Sequence, residues 1–183
     1  MITDHAYQLP TKPSLEDALE RELSRARRHQ RPLTVGLLGV DRLWAVESAY
    51  GARGVLKLLE TLQERGGRLV RGEDLFGHWQ GALFLLAMPE TTLRGAISGL
   101  NRVKMQLERY HTRAGCLKLN VGVAALATGD DTFTVVAKAD AMLRWQQACE
   151  QDCTWKGLTT LWQAELESVA PALDLGLALV QGD

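Results

Sequence analysis

Histidine and cysteine are the residue types best suited to ligate a metal or to carry nucleophilic catalysis, and neither set is arranged for such chemistry. The histidines lack metal-ligand spacing, and none has a nearby serine or cysteine in a nucleophile-elbow context. No phosphate-binding loop of the GxxxxGK[ST] type occurs, and no GxGxxG opens a helix. These patterns indicate no catalytic residue and no metal site among His5, His29, His78, His111, Cys116, Cys149 and Cys153.

A basic run, Arg25–Arg31, could contact RNA or DNA. However, it ends an amphipathic helix whose earlier turns are acidic, and cations in a last turn suit the helix macrodipole, so a solvated helix end explains it. The whole chain carries 21 Lys and Arg against 22 Asp and Glu, a formal net charge of −1. Because no global field attracts polyanions, we expect no nucleic-acid partner.

Length and composition restrict the class of protein. The chain has 183 residues, of which 46% are hydrophobic and 23% charged, as in a globular chain of about one domain. No apolar stretch approaches the roughly 20 residues that a bilayer crossing needs, and the N-terminal pattern is not that of a secretion signal. Three cysteines are an odd, sparse set that fits a reducing compartment. We therefore expect a cytoplasmic protein without membrane insertion.

Apolar periodicity predicts the elements that would position a site. The run Leu33–Val40 is typical of a strand buried on both faces. Two later strands meet at a tight turn, Gln80-Gly81, and are therefore antiparallel. The predicted order is helix 14–31, strand 33–40, helix 43–66, a strand within 68–79, strand 82–88, helix 93–110, strand 117–125 and helix 133–148.

This order predicts an α/β (α+β) fold with a mixed central sheet flanked by helices. Strands that are separated by helices can be parallel, whereas the hairpin pair cannot, so we expect both kinds of pairing. The arrangement is of the split βαβ or ferredoxin-like kind. That architecture hosts many functions, so a function has to come from a site.

Several local strings, in order and at matching spacing, resemble the GGDEF domain of bacterial diguanylate cyclases over residues 4–152. The resemblance implies a nucleotidyl-cyclase palm of ferredoxin-like topology and a separate C-terminal extension over residues 153–183. The matching strings are DHAYQLPTK at the start, RPL and LLGVD around the first strand, AYG, HWQGALF at the signature hairpin, MPET, NVGV and ADAML.

The positions that carry cyclase chemistry in that family are changed here. Family members make cyclic di-GMP from GTP with bound Mg²⁺, which needs hard carboxylate ligands. The resemblance puts the metal carboxylates at Gly39 and Ala82 and the second acidic hairpin residue at Leu83. It also puts the guanine-binding and phosphate-binding side chains at Glu47, Leu56, Gln147 and Gln151. We therefore expect no metal, no cofactor and no enzymatic activity.

One constellation of the family is retained. Arg71-Gly72-Glu73-Asp74 is an RxxD ahead of the signature hairpin, where the resemblance implies the inhibitory site (I site) that binds cyclic di-GMP. The resemblance adds Arg102 from the helix after the hairpin. An arginine fork suits phosphate oxygens and guanine O6 and N7, and an aspartate accepts from guanine N1–H and N2–H₂. The alternative is a local ion pair and a solvated helix residue, which contribute about 0–1 kcal/mol.

The sequence thus predicts a catalytically inactive GGDEF-like domain that acts as a cyclic di-GMP receptor through Arg71, Asp74 and Arg102. Ligand-linked homodimerisation or binding of a protein effector would be its output. The alternative is a protein-interaction scaffold that kept the fold without the ligand, with contacts from its tail and its tryptophans. The tryptophans are Trp44, Trp79, Trp145, Trp155 and Trp162.

Overall fold

The computed structural model describes residues 15–109, 111–112 and 115–150. The helix and strand order predicted from the sequence is confirmed over these residues. The predicted helix start at Ser14 and the extension 153–183 lie outside them. The elements are α1 (Leu15–His29), β1 (Leu33–Val40), α2 (Leu43–Gly67), β2 (Leu75–Gln80), β3 (Leu83–Pro89), α3 (Leu93–Glu108), β4 (His111–Thr112), β5 (Gly115–Cys116), β6 (Leu119–Ala125) and α4 (Thr132–Glu150).

The central sheet has the strand order β2-β3-β1-β6, and its three neighbouring pairs are all antiparallel. The α+β, ferredoxin-like expectation is confirmed, but the expected parallel pairing is not found in this sheet. The reason is topological. Strands joined through a helix do run in the same direction, but β3 separates β1 from β2, and β1 separates β3 from β6, so each strand has antiparallel neighbours.

Strand β1 is the centre of the molecule, as its apolar run predicts. All eight of its residues are buried. Because side chains alternate along a strand, Leu38 and Val40 enter one core cluster with α2 and α3, while Val35 and Leu37 enter another with α1 and α4. Helices therefore cover both faces of the sheet.

Two features of the fold go beyond the predicted elements. Strands β4 and β5 form a two-residue ladder that is too short to leave a sequence pattern. Helix α2 is broken at Gly51, whose φ of 67° and ψ of −176° are outside helical geometry. A side chain would be strained at that backbone conformation, so glycine allows the break.

Strand registers define two ends of the sheet. At the first, which we call the cleft end, Leu33 of β1 pairs with Pro89 of β3, and Leu75 of β2 pairs with Ala87. At the opposite end, which we call the hairpin end, Gly39 of β1 lies between Leu83 and Asn120. The site predicted at Arg71 and Asp74 precedes β2 and lies at the cleft end.

Candidate functional site

A cleft of about 930 Å³ opens at the cleft end, between the last turns of α1, the start of β1, the loop before β2 and the end of β3. Residues from three segments that are distant in sequence line it, namely 22–32, 71–75 and 89–90. Its charged lining consists of the basic residues Arg25, His29, Arg31 and Arg71 and the acidic residues Glu22, Glu73 and Glu90. The cleft therefore offers both hydrogen-bond donors and acceptors to a ligand.

Residues Arg71 to Asp74 form a tight turn on one wall of this cleft. The backbone N–H of Asp74 donates to the carbonyl of Arg71 at 3.1 Å, and Asp74 Oδ2 accepts from the backbone N–H of Arg71 at 3.0 Å. Asp74 Oδ1 is buried and has no hydrogen-bond partner among the described residues. The Asp74 carboxylate thus closes the turn, while Arg71 is exposed and lines the cleft.

Ion pairs engage most of the charges in the cleft. Arg25 pairs with Glu22 at 3.2 Å, and Arg31 pairs with Glu90. Arg71 and Glu73 are exposed, and neither side chain has an ion pair or hydrogen bond within the part of the chain that the structure describes. These two residues are therefore the charged groups that can turn to a ligand without breaking an existing pair.

Arg102 is exposed on α3 and does not line the cleft. It lies three residues after Gly99, where an added Cβ would be 3.6 Å from Met88 Sδ of β3. Its side chain forms no hydrogen bond or ion pair with residues 15–109, 111–112 or 115–150. The structure thus joins Arg71 and Asp74 in one turn and leaves Arg102 on a separate helix.

Six ionisable residues of the cleft were missed by the sequence analysis: Glu22, Arg25, His29, Arg31, Glu73 and Glu90. Arg25, His29 and Arg31 belong to the run interpreted as a solvated helix end, and Glu73 is an unspecified position of the RxxD string. The helix end is indeed exposed, but it packs beside the loop before β2, so the same side chains line a cleft. The sequence holds no local signal for this proximity.

At the hairpin end, apolar side chains fill the space beside Gly39. A Cβ added at Gly39 would lie 3.3 Å from a methyl carbon of Leu143 and 3.3 Å from one of Leu83. Gly122 lets α4 approach even more closely, since its added Cβ would lie 2.0 Å from the Ala139 carbonyl oxygen. Two leucines and the α4 backbone therefore occupy this region.

The residues at the hairpin end do not fit a magnesium ion, which prefers carboxylate and water oxygens. Gly39 and Ala82 stand where the resemblance puts the metal carboxylates. Asn120, the neighbour of Gly39 in β6, is 2% exposed, and its Oδ1 has no partner among the described residues. Asp41, which directly follows β1, is paired with Arg42 at 3.8 Å. One amide oxygen and one paired carboxylate are not a magnesium site, and no cluster of three potential metal ligands occurs in the described part of the chain.

The signature hairpin itself is held by buried contacts. His78 Nε2 lies 2.9 Å from the carbonyl oxygen of Gly81, so this nitrogen carries the proton and donates. Its ring meets Phe84 edge-on at a centroid distance of 5.5 Å. The His78 ring therefore links the strand β2 to the turn and to β3.

Comparison with known proteins decides the family. The family model described as "Diguanylate cyclase, GGDEF domain" matches residues 1–152. The chain belongs to the GGDEF family. A relative of this GGDEF domain is the diguanylate cyclase DgcP of Pseudomonas aeruginosa, which is 23% identical over 146 residues. The match covers 78% of the present chain but only 22% of DgcP.

Solved structures agree with this assignment. The GGDEF domain of DgcB from Caulobacter crescentus, in complex with c-di-GMP, superposes with a TM-score of 0.71 at 17% identity, covering 81% of the present chain and 88% of that one. The diguanylate cyclase SiaD of P. aeruginosa, in complex with its activator SiaC, gives a TM-score of 0.69 at 28% identity, covering 74% and 54%. Among the described residues, no helix is long and apolar enough to span a membrane.

Proposed function

We propose that this GGDEF domain is catalytically inactive and binds cyclic di-GMP through its I site, with Arg71, Asp74 and Arg102 as the site residues. The observation that carries the proposal is the contrast between the two ends of the sheet. At the open cleft, the Arg71 side chain has no ion pair among the described residues, whereas leucines fill the hairpin end. Gly39 and Ala82 have no carboxylates with which to ligate the magnesium that cyclase chemistry needs. The cleft, in contrast, offers the hydrogen-bond donors and acceptors that dinucleotide binding needs.

Each proposed site residue has a distinct task. Arg71 presents a planar fork of donors that matches phosphate oxygens or the O6 and N7 atoms of guanine. Asp74 holds the turn that aims Arg71 into the cleft. Arg102 is assigned to the ligand from α3, outside the cleft. Arg25 and Arg31 line the cleft and are already paired with Glu22 and Glu90. The DgcB GGDEF domain was solved with c-di-GMP, which supports this ligand class for the fold.

Isothermal titration calorimetry with cyclic di-GMP tests the proposal. Wild-type protein should bind, and Arg71→Ala should weaken binding at least about tenfold, since charged hydrogen bonds contribute roughly 1.5–3 kcal/mol. Arg53→Ala on α2 is the matched control, because Arg53 is exposed and does not line the cleft. A flat trace from folded wild-type protein would contradict receptor function, and magnesium-dependent turnover of GTP would contradict inactivity.

A ligand-free interaction scaffold is the second candidate, and it is favoured by two exposed aromatic residues in the first part of α2. Trp44 is 59% exposed and Tyr50 is 39% exposed. SiaD was solved with a protein activator, so a protein partner has a precedent in a relative. Analytical ultracentrifugation with and without cyclic di-GMP distinguishes the receptor from the scaffold. A receptor that signals by dimerisation sediments at a higher mass when the ligand is present, whereas the mass of the scaffold does not change.

A further inference from the structure

The outer face of α3 carries a row of arginines. Arg94, Arg102 and Arg109 are exposed, and their side chains form no ion pair or hydrogen bond with residues 15–109, 111–112 or 115–150. They follow one another at spacings of eight and seven residues, each close to two helical turns, so they lie on one face of the helix. We call this face the arginine stripe.

Acidic neighbours distinguish the other long helices from α3. On each of α1, α2 and α4, an exposed cation pairs with a carboxylate three or four residues away. The single acidic residue of α3, Glu108, is engaged elsewhere, because it accepts from the Leu119 backbone N–H at 2.9 Å and lies 3.7 Å from Nζ of the buried Lys104. The arginine stripe therefore has no available carboxylate on its own helix.

An apolar side chain lies within the same stripe. Met105 is 63% exposed and stands three residues after Arg102 and four before Arg109. Between Arg94 and Arg102, the stripe carries the small, exposed Ser98. Arginine and methionine are both enriched at protein–protein interfaces, where methionine adapts to irregular apolar surfaces. The stripe thus offers a partner an apolar contact as well as positive charge.

The spacing of the arginines decides between classes of partner. At a rise of about 1.5 Å per residue, successive arginines are separated by about 12 and 10 Å along α3. Phosphates of one strand of duplex DNA follow each other about every 3.4 Å along its axis, so a row this sparse meets few of them. Carboxylates seven or eight residues apart on a second helix have the same separation as the arginines.

We propose that the arginine stripe is the docking surface for an acidic amphipathic helix of a partner protein. Carboxylates of that helix pair with the three arginines, and an apolar residue between them packs on Met105. Arg94 and Arg109 do not line the cleft, so this surface is separate from the cleft and does not depend on cyclic di-GMP binding. A contact made by one helix belongs to the small, transient class of interfaces.

The probe is a synthetic helical peptide of about 20 residues, with glutamates spaced eight and seven residues apart and leucine at the position that faces Met105. A reference peptide has the same composition with its glutamates five residues apart, which spreads them around the helix. Fluorescence anisotropy measures the Kd of each labelled peptide for the full chain. We expect the first peptide to bind at least about fivefold more tightly than the reference.

Variants of the full chain test the arginines. Arg94→Ala together with Arg109→Ala should weaken binding of the first peptide about fivefold, because two exposed ion pairs are lost. The matched control is Arg28→Ala together with Arg53→Ala, which removes the same charge from exposed positions on α1 and α2. Arg102 is left unchanged because the proposed function also assigns it to the ligand. The Kd for cyclic di-GMP should be the same in both double variants.

Met105→Ser separates a protein partner from a polyanion. It should weaken binding of the first peptide about threefold through lost apolar contact and leave binding of a DNA duplex unchanged. If both peptides bind equally, or if the α3 double variant binds as the control does, the docking surface is overturned. If the duplex binds more tightly than the first peptide and Met105→Ser alters neither affinity, the partner is a nucleic acid and the assignment to an acidic helix is wrong. Thermal unfolding of each variant verifies that a lost affinity is not a lost fold.

Discussion

The two ends of the sheet share strand β1 and differ in what surrounds it. At the cleft end, charged side chains from α1, the Arg71–Asp74 turn and the end of β3 line an open cleft. At the hairpin end, Leu83 and Leu143 lie against Gly39. One end exposes polar groups to solvent and the other buries apolar groups, although both belong to one GGDEF fold.

The comparison shows that one end of a fold can be apolar while the other is polar. The hydrophobic contacts at the hairpin end join the core cluster of α1 and α4, so they contribute to stability as the rest of the core does. The cleft end is separated from them by the length of β1. Apolar side chains can therefore accumulate at one end while the charges at the other end remain.

The largest effect should come from placing a carboxylate at the hairpin end. Gly39→Asp inserts a side chain where leucine carbons lie 3.3 Å from the new Cβ, and it buries a charge without a cationic partner. We expect the free energy of unfolding in urea to fall by about 3 kcal/mol or more.

The control for that experiment is Gly67→Asp, where an added Cβ has nothing within 4 Å and the residue is exposed. It should change stability by about 1 kcal/mol or less. If Gly39→Asp were as stable as wild-type protein, the hairpin end would have room for a solvated carboxylate, and the contrast between the two ends would disappear.

A second experiment compares arginines within the cleft. Arg71→Ala should weaken cyclic di-GMP binding at least about tenfold, whereas Arg25→Ala should weaken it about two- to fivefold, because Arg25 is already paired with Glu22. Calorimetry under one ionic strength measures both. Equal losses of affinity in the two variants would indicate that the Arg25–Glu22 ion pair opens on binding and that Arg25 and Arg71 contribute equally.

The third prediction concerns the turn. Asp74→Ala removes the acceptor for Arg71 N–H and should lower the free energy of unfolding by about 1 kcal/mol, while Asp74→Asn should retain most of it. Urea unfolding of both variants measures the difference. Equal destabilisation by both would show that the negative charge, rather than the hydrogen bond, stabilises the turn.

The smallest effect concerns Asp131 at the start of α4. The Thr134 hydroxyl and then its backbone N–H, at 2.6 and 2.7 Å, lower the pKa of Asp131 from its ordinary value. A carboxyl whose pKa is lowered by folding stabilises the protein above its unfolded pKa, and this contribution is lost as the pH falls through the folded pKa. Asp131→Ala should therefore lower Tm at pH 7 and have a smaller effect at pH 3. A difference that did not change with pH would argue against an ionised cap.

The prediction from sequence succeeded where the signal is local. The apolar run Leu33–Val40 identified a doubly buried strand, and Gln80-Gly81 identified the hairpin, because alternation and turn chemistry depend on neighbouring residues. It was wrong about the direction of strand pairing, because the order of the strands in the sheet cannot be inferred from the sequence of any single strand. It also did not predict the break at Gly51, because a single glycine within a helical pattern does not show which φ it adopts.

The same distinction applies to the candidate site. The string Arg71-Gly72-Glu73-Asp74 and its place before the hairpin could be recognised in the chain, and so could the absence of carboxylates at Gly39 and Ala82. The residues that share the cleft with Arg71 could not be recognised, because Arg25 and Glu90 lie far from it in sequence and only packing brings them to one cleft. Nor could the sequence show that the Asp74 carboxylate faces its own turn.

By itself, the amino-acid sequence determined the helices, the strands, their order and the residue types at each motif position, because these depend on periodicity and on side-chain chemistry over a few residues. The tertiary structure alone decided which charges share a cleft, which carboxylate faces it and what fills the space beside Gly39. Those outcomes depend on distances between segments that are separated along the chain, and such distances exist only after the helices have packed on the sheet.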